Sequence, residues 1–293
     1  MLEAVPNVSE GRDAGAIEEI GHAFASRATL LDVHADADHH RSVFTLAADT
    51  DPLADSLLAG IARALELVDL RAHDGVHPRV GAVDVVPLVY LVPSDVARAE
   101  DAARALAQRV GAELEVPVFL YGTVGGGKRP AFFRSGGLAK LERRVDAGEL
   151  RVDAGPSKID PRSGAILVGA RPPLVAYNVV LGGADAGVAR AIAASIRESG
   201  GGMPGVQAIG LELPRSGRVQ VSMNVFDLER APLHEVVERV RQEATWRGVK
   251  VVDGELVGLV PERVLTEAAA AGVSIPGVDE SLVLERALRS ALL

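Results

Sequence analysis

Apolar and polar positions recur along the chain in two periods. Residues 2–8 alternate as a half-buried strand does, and Asn7-Val8-Ser9-Glu10-Gly11-Arg12 breaks the pattern. A helical period follows over 13–26, with Asp13 as the N-cap and Ile17, Ile20, Ala23 and Phe24 on one face. Residues 29–33 read as a short strand, 34–40 as a polar loop, and 42–47 as a second strand antiparallel to the first. Asp51-Pro52 opens a helix reaching residue 70, with aspartate at the cap and proline in the first turn. The apolar run 83–92 reads as a buried strand. That order, βαββαβ, is a split βαβ unit of the ferredoxin-like kind. A further helix at 94–110 and a strand at 116–121 extend it.

The middle of the chain loses its period. Residues 122–130 form a glycine-rich loop, 131–150 hold a short helix, and 151–164 are rich in Gly, Pro, Asp and Ser. A strand at 165–168 precedes Arg171-Pro172-Pro173, a boundary. The pattern then recurs, with strands at 174–181, 207–213, 219–225, 249–252 and 256–260 and helices at 184–198 and 232–246. Residues 274–293 read as a terminal helix after Pro276-Gly277. The expected fold is α/β (α+β): two ferredoxin-like βαββαβ lobes with mixed or antiparallel sheets around a central trough. The expected subdomains are 1–173 and 174–293, with 122–164 lining the space between them, where ligands favour binding.

Composition narrows the classes of function. The 293 residues are 48% hydrophobic and 24% charged, enough to bury a substantial core. A net charge of −9 and 3% aromatic residues argue against a nucleic-acid surface. Arginines nevertheless collect over 129–171, so a basic pocket on an acidic protein is compatible with the sequence. No apolar run approaches the ~18 residues of a membrane span. Met1-Leu2-Glu3-Ala4-Val5-Pro6 lacks the features of a signal peptide, so the expected location is cytoplasmic. The absence of cysteine excludes disulfides, thiolate nucleophiles and cysteine-ligated metals.

Four stretches carry candidate chemistry. His73-Asp74-Gly75-Val76-His77-Pro78-Arg79 sets two histidines and an arginine on a turn before a strand. Pro78 biases His77 toward extended backbone, and a histidine so held suits proton transfer near neutral pH. His34, Asp36, Asp38, His39, His40 and Arg41 crowd one strand-to-strand connection, offering carboxylates to a cation, imidazoles to a proton and a guanidinium to a carboxylate. Gly122-Thr123-Val124-Gly125-Gly126-Gly127-Lys128-Arg129 nearly spells a phosphate-binding loop. It lacks the Ser/Thr after the lysine, and Pro130 disfavours the helix start that should face phosphates, so a loop over a ligand is the expectation. The aperiodic segment 153–164 is long enough to be functional.

Taken in order, several stretches resemble the glutamate formiminotransferase family. They are Val5-Pro6-Asn7-Val8-Ser9-Glu10-Gly11-Arg12, Asp36-Ala37-Asp38-His39-His40-Arg41-Ser42-Val43, the His73–Pro87 stretch, Val118-Phe119-Leu120-Tyr121-Gly122, Gly169-Ala170-Arg171, Ala176-Tyr177-Asn178, Gln220-Val221-Ser222-Met223-Asn224 and Gly258-Leu259-Val260-Pro261. The resemblance spans roughly residues 3–265. It implies transfer of the formimino group from N-formimino-L-glutamate to N5 of tetrahydrofolate, a co-substrate, by a homodimer that needs no metal. It implies that His77, of the His-Pro-Arg triplet, is the catalytic base. It also implies that folate lies on Gly155, Pro156, Ser157, Lys158, Ile159, Asp160, Pro161, Arg162, Ser163 and Gly164. No cyclodeaminase domain accompanies the resemblance.

Two positions depart from the family's usual residues: His40 stands for asparagine and Val76 for glutamate. Loop 122–130 and residues 150–154 also lack its usual pattern. By charge type, Asp36 or Asp38 would hold the amidinium with His39 and His40 nearby, and Arg41, Arg79 or Arg171 the substrate carboxylates. Three other readings fit these residues: a metal-dependent amidine hydrolase using His34, Asp36, His39, His73 and His77, a non-catalytic folate-binding paralogue, and formyl transfer from 5-formyltetrahydrofolate.

Overall fold

A computed structural model describes residues 1–291, which divide into two compact units, Met1–Pro172 and the remainder from Pro173 on. In the first unit the opening strand is interrupted at Val5-Pro6, giving β1 (Leu2–Ala4) and β2 (Asn7–Val8). Helix α1 (Ala14–Phe24) starts as its pattern predicts, the Asp13 carboxylate accepting the Ala16 N–H at 3.0 Å. Strands β3 (Thr29–Asp36) and β4 (Arg41–Ala48) form the antiparallel pair. Helix α2 (Thr50–Leu67) leads to β5 (Val83–Val89), and α3 (Val96–Glu113) to β6 (Val118–Gly122). Two short helices, α4 (Pro130–Arg134) and α5 (Gly137–Asp146), precede β7 (Ile166–Arg171).

The sheet runs β3-β4-β1/β2-β5-β7-β6, antiparallel as far as β5 and parallel from β5 through β7 to β6. Its first four positions have the ferredoxin-like order, with β7 and β6 added at one edge. One face carries Ala4, Phe44, Leu46, Val86, Leu88, Ile166 and Val168 into the main core under α1, α2 and α3. Over the β5–β7–β6 part of the opposite face, Phe119, Leu167 and Val85 meet Phe133 of α4 and Leu141 of α5.

The other half of that opposite face is polar. Cross-strand partners share a face, and the register pairs Asp32 with Thr45, His34 with Val43, Asp36 with Arg41, and Asn7 with Val43. This overturns one expectation. The sequence pattern places His34 and Asp36 in a loop, yet β3 continues through Asp36 and only residues 37–40 turn. The polar residues of β3 alternate because that face carries charged groups rather than core.

In the second unit, β8 (Val175–Gly182), α6 (Ala186–Ile196), β9 (Val206–Leu213), β10 (Arg218–Val225), α7 (Leu233–Trp246) and β11 (Lys250–Val257) repeat the βαββαβ order. The sheet β11-β8-β10-β9 is antiparallel throughout. The two strands expected at 249–252 and 256–260 are one: a bulge at Val252 lets the ladder continue from Val251 to Asp253. Helices α8 (Glu262–Ala270) and α9 (Leu284–Ala291) follow. The expected terminal helix over 274–293 therefore begins only at Leu284, and its last two residues lie outside the described ones. No described helix is long and apolar enough to cross a membrane.

Candidate active site

Three connections of the first unit meet beside β4 and β5: residues 9–13, 37–40 and 73–79. Their packing requires small residues at two points. A Cβ on Gly11 would lie 2.2 Å from the Asp36 carbonyl oxygen, and one on Gly75 would lie 2.2 Å from that of His39. Gly75 and Gly81 have no positive φ, so what they supply here is space. Hydrogen bonds tie the connections together. Arg12 donates from Nε to the Ala37 carbonyl at 2.9 Å and forms an ion pair with Asp74, and Val76 N–H donates to the Asp38 carbonyl at 3.0 Å.

Within this knot the expected site residues fall into distinct environments. His77 is half-buried, its ring centroid 5.8 Å from that of buried His39. Its Nδ1 lies 2.8 Å from the Pro78 carbonyl, which can only accept. Nδ1 therefore carries the proton, and in the neutral ring Nε2 keeps a lone pair. Burial pushes the His77 pKa well below its ordinary value, and the Arg41 and Arg134 cations push it further. A neutral imidazole at neutral pH with a free Nε2 is a ready proton acceptor.

His40 and His73 form a second pair, stacked at 4.2 Å. His73 Nε2 lies 2.7 Å from the His40 carbonyl, and its Nδ1 accepts the Gly75 N–H at 3.1 Å. Both nitrogens are engaged, which removes His73 from the metal-ligand set considered above. Among the described residues no group of three or more His, Cys, Asp or Glu is placed to hold a metal ion. Burial lowers the His73 pKa to about 4. The folded state thus binds this proton less well than the unfolded chain, whose histidines titrate near ~6.5. The associated stability is complete above that value and is lost as pH falls toward 4. Between those limits His73→Gln should therefore unfold with a shallower pH slope, by up to ~1.4 kcal/mol per pH unit. Denaturant melts at stepped pH measure this, and equal slopes for both proteins would contradict it.

His40 has φ 49° and its Nδ1 accepts the Gly11 N–H at 3.1 Å. Asparagine and histidine tolerate this left-handed backbone better than most residues, and an amide oxygen can accept the same bond. The departure from the family's asparagine is thus absorbed structurally. His40→Asn should keep activity within about twofold, whereas His40→Val should cost about 1–3 kcal/mol from strain at positive φ. Urea unfolding with parallel rate measurements would show otherwise if the two variants behaved alike.

Asp36 caps its turn, Oδ1 accepting the His39 N–H at 2.6 Å, and Asp38 is buried. Arg79 is committed to its own loop: its guanidinium donates to the carbonyls of Gly75 at 2.8 Å, His77 at 3.2 Å and His73 at 2.7 Å. Arg171 pairs in register with Val89, at the end of the β5–β7 ladder remote from the His77 connection. Its side chain meets the Tyr121 hydroxyl and the Pro172 carbonyl.

The 155–164 segment has two parts. Residues 155–158 are exposed, and Gly155 abuts Gly111 of α3 and the Val116 carbonyl. Residues 160–164 close a turn, with Gly164 N–H donating to the Asp160 carbonyl at 2.7 Å, and Ser163 accepts from Ala82 N–H at 2.8 Å just after the His77 connection. Ile159 is buried in the apolar cluster of Phe119, Phe133 and Leu141, and Arg162 donates to the Glu66 carbonyl at 2.8 Å.

Two central residues, Asp84 and Arg134, escaped the sequence reading. Asp84, 0% exposed, accepts from Arg41 Nη1 at 2.9 Å and Arg134 Nη2 at 2.5 Å on one oxygen, and from Val80 N–H at 2.8 Å on the other. Burial alone would raise its pKa, but Arg134 and Arg41 outweigh that and hold it below the usual carboxylate range. Arg41, 8% exposed, also donates from Nε to Asn7 Oδ1 at 3.0 Å, and burial pulls its pKa down to about 10. The signal for Asp84 was a lone charge within an apolar strand run, which demands a partner.

Fold and site define an α+β protein of two ferredoxin-like units, the first carrying histidines, arginines and a buried carboxylate beside the start of β5. The chain belongs to the formiminotransferase family. Residues 1–171 match the formiminotransferase domain's N-terminal subdomain and residues 176–275 the formiminotransferase domain. It is 38% identical over 300 residues to the glutamate formimidoyltransferase of Thermoplasma acidophilum, covering 99% of this chain and 98% of that one. It is 34% identical to the glutamate formimidoyltransferase of Streptococcus pyogenes, covering 95% of each. The formimidoyltransferase-cyclodeaminase of Gallus gallus is 38% identical over 92% of this chain, which spans 52% of that protein.

Proposed function

We propose that this protein is a glutamate formimidoyltransferase, moving the formimino group from N-formimino-L-glutamate to N5 of tetrahydrofolate and releasing L-glutamate. The observation that carries this reading is the nearly end-to-end match with proteins bearing that name. The state of His77 supports it independently. Attack of N5 on the amidine carbon leaves a proton on N5, and departure of glutamate requires a proton on its nitrogen. His77 Nε2 accepts the first and delivers it to the second, while the Nδ1–H bond to Pro78 fixes the ring. Alignment of two substrates supplies much of the remaining rate.

Asp36, Asp38, His39 and His40 frame the donor's side of the site, and residues 155–164 hold the folate. A homodimer acting in the cytoplasm, without a metal, completes the reading. The test is an assay of purified protein with formiminoglutamate and tetrahydrofolate. Equimolar 5-formiminotetrahydrofolate and glutamate are expected. Glutamate or formylglutamate appearing without tetrahydrofolate would instead make the protein a hydrolase.

A further inference from the structure

Arg134 reaches the site from outside the motifs. Its neighbour Phe133, 1% exposed, anchors α4 against Phe119 of β6, ring centroids 5.3 Å apart, and this fixes Arg134 over Asp84. Two guanidiniums then share a single oxygen of one carboxylate whose other oxygen is taken by a backbone N–H. Two positive charges against one negative leave one positive charge over. Burying such an excess is costly unless an anion answers it. Arg134 is also under-used. Among the described residues its one hydrogen bond goes to Asp84, and its buried Nε has no partner.

We propose that Arg134, with Arg41 beside it, forms the subsite that receives the α-carboxylate of the amino-acid substrate, and that Asp84 is the positioning residue holding both guanidiniums next to His77. This rests on the formimino-transfer reading and adds to it a residue and a recognised group. Substrate chemistry selects that carboxylate. It is bonded to the same carbon as the nitrogen that His77 must protonate, so cations adjoining the base adjoin it too. The glutamate tail of a folate lies beyond a p-aminobenzoyl group, remote from N5. Arg79 is the more committed cation, both of its terminal nitrogens already donating to its own loop carbonyls.

The experiment compares wild type, Arg134→Gln and Arg134→Lys, varying each substrate separately. Loss of a charged hydrogen-bonding partner should raise KM for formiminoglutamate about 10- to 100-fold. KM for tetrahydrofolate should stay within about twofold, and Arg134→Lys should recover part of the loss. Calorimetric binding to wild type gives an arm independent of any variant's folding: L-glutamate and L-glutamine should bind, and L-isoglutamine, whose α-carboxylate is an amide, should not. Equal binding of isoglutamine overturns the proposal. So does a rise confined to the tetrahydrofolate KM, or a drop in stability and kcat with both KM values unchanged, which would make Arg134 a structural ion-pair partner only. If wild type itself transfers no formimino group, the reading of function fails; a wild type that does, with unchanged KM values in the variants, fails this inference alone.

Discussion

His77→Ala is expected to lower kcat by about 10²–10⁴-fold, the usual contribution of a positioned acid–base group. The magnitude follows from the proton's route, since N5 must shed a proton and the glutamate nitrogen must gain one, and His77 Nε2 is the group prepared to carry it. Several features of the chain converge on that nitrogen. The Pro78 carbonyl holds Nδ1–H, and burial together with Arg41 and Arg134 keeps the ring neutral. With folate on residues 155–164 as proposed, its affinity should change little, because that segment is held by its own contacts with α2, α3 and residues 80–82. Stopped-assay rates with saturating substrates, beside folate binding followed by calorimetry, separate the two effects. Turnover near wild type would remove His77 from the proton's route.

Asp84→Asn is expected to destabilise the first unit by about 3–5 kcal/mol, the cost of breaking a buried ion pair from one side. The amide can still accept the Val80 N–H, but it loses its charge and turns an NH₂ toward both guanidiniums, which share the other oxygen. Arg41 and Arg134 would then repel each other without the anion between them. The choice of probe matters. The single tryptophan, Trp246, belongs to the second unit, so its fluorescence would pass over the event. Far-UV circular dichroism includes that unit's signal, and hydrogen exchange of the Val80 amide reports on it specifically. A loss below ~1 kcal/mol by those probes would mean that the triad is solvated and contributes no more than a surface ion pair.

The helices were legible because their apolar faces repeat and their ends carry ordinary caps, as Asp13 does for α1. The strand order of both units followed from the element order, since split βαβ units close in few ways. Polar strands were harder. Asp32, His34 and Asp36 alternate as strand residues do, but their charge reads as loop when no core lies on that face. In β11 the Asp253-Gly254 pair resembles a turn, yet a bulge carries the ladder through it. Of the site, the histidines and Arg41 stood out as a cluster in sequence, whereas Asp84 and Arg134 lie fifty positions apart and meet only in the folded chain. Arg79 shows the converse: adjacent to His77 in sequence, it fastens the loop and does not face a substrate through those donors.

The most direct test of the central claim, a neutral His77 carrying the transferred proton, is the pH dependence of kcat/KM for formiminoglutamate at saturating tetrahydrofolate. A histidine held below its ordinary value gives a plateau across neutral pH and a fall only in acid, below ~6.5, and that acid limb should vanish from the residual activity of His77→Ala. A limb at or above ~6.5, or one that persists unchanged without His77, would contradict the account.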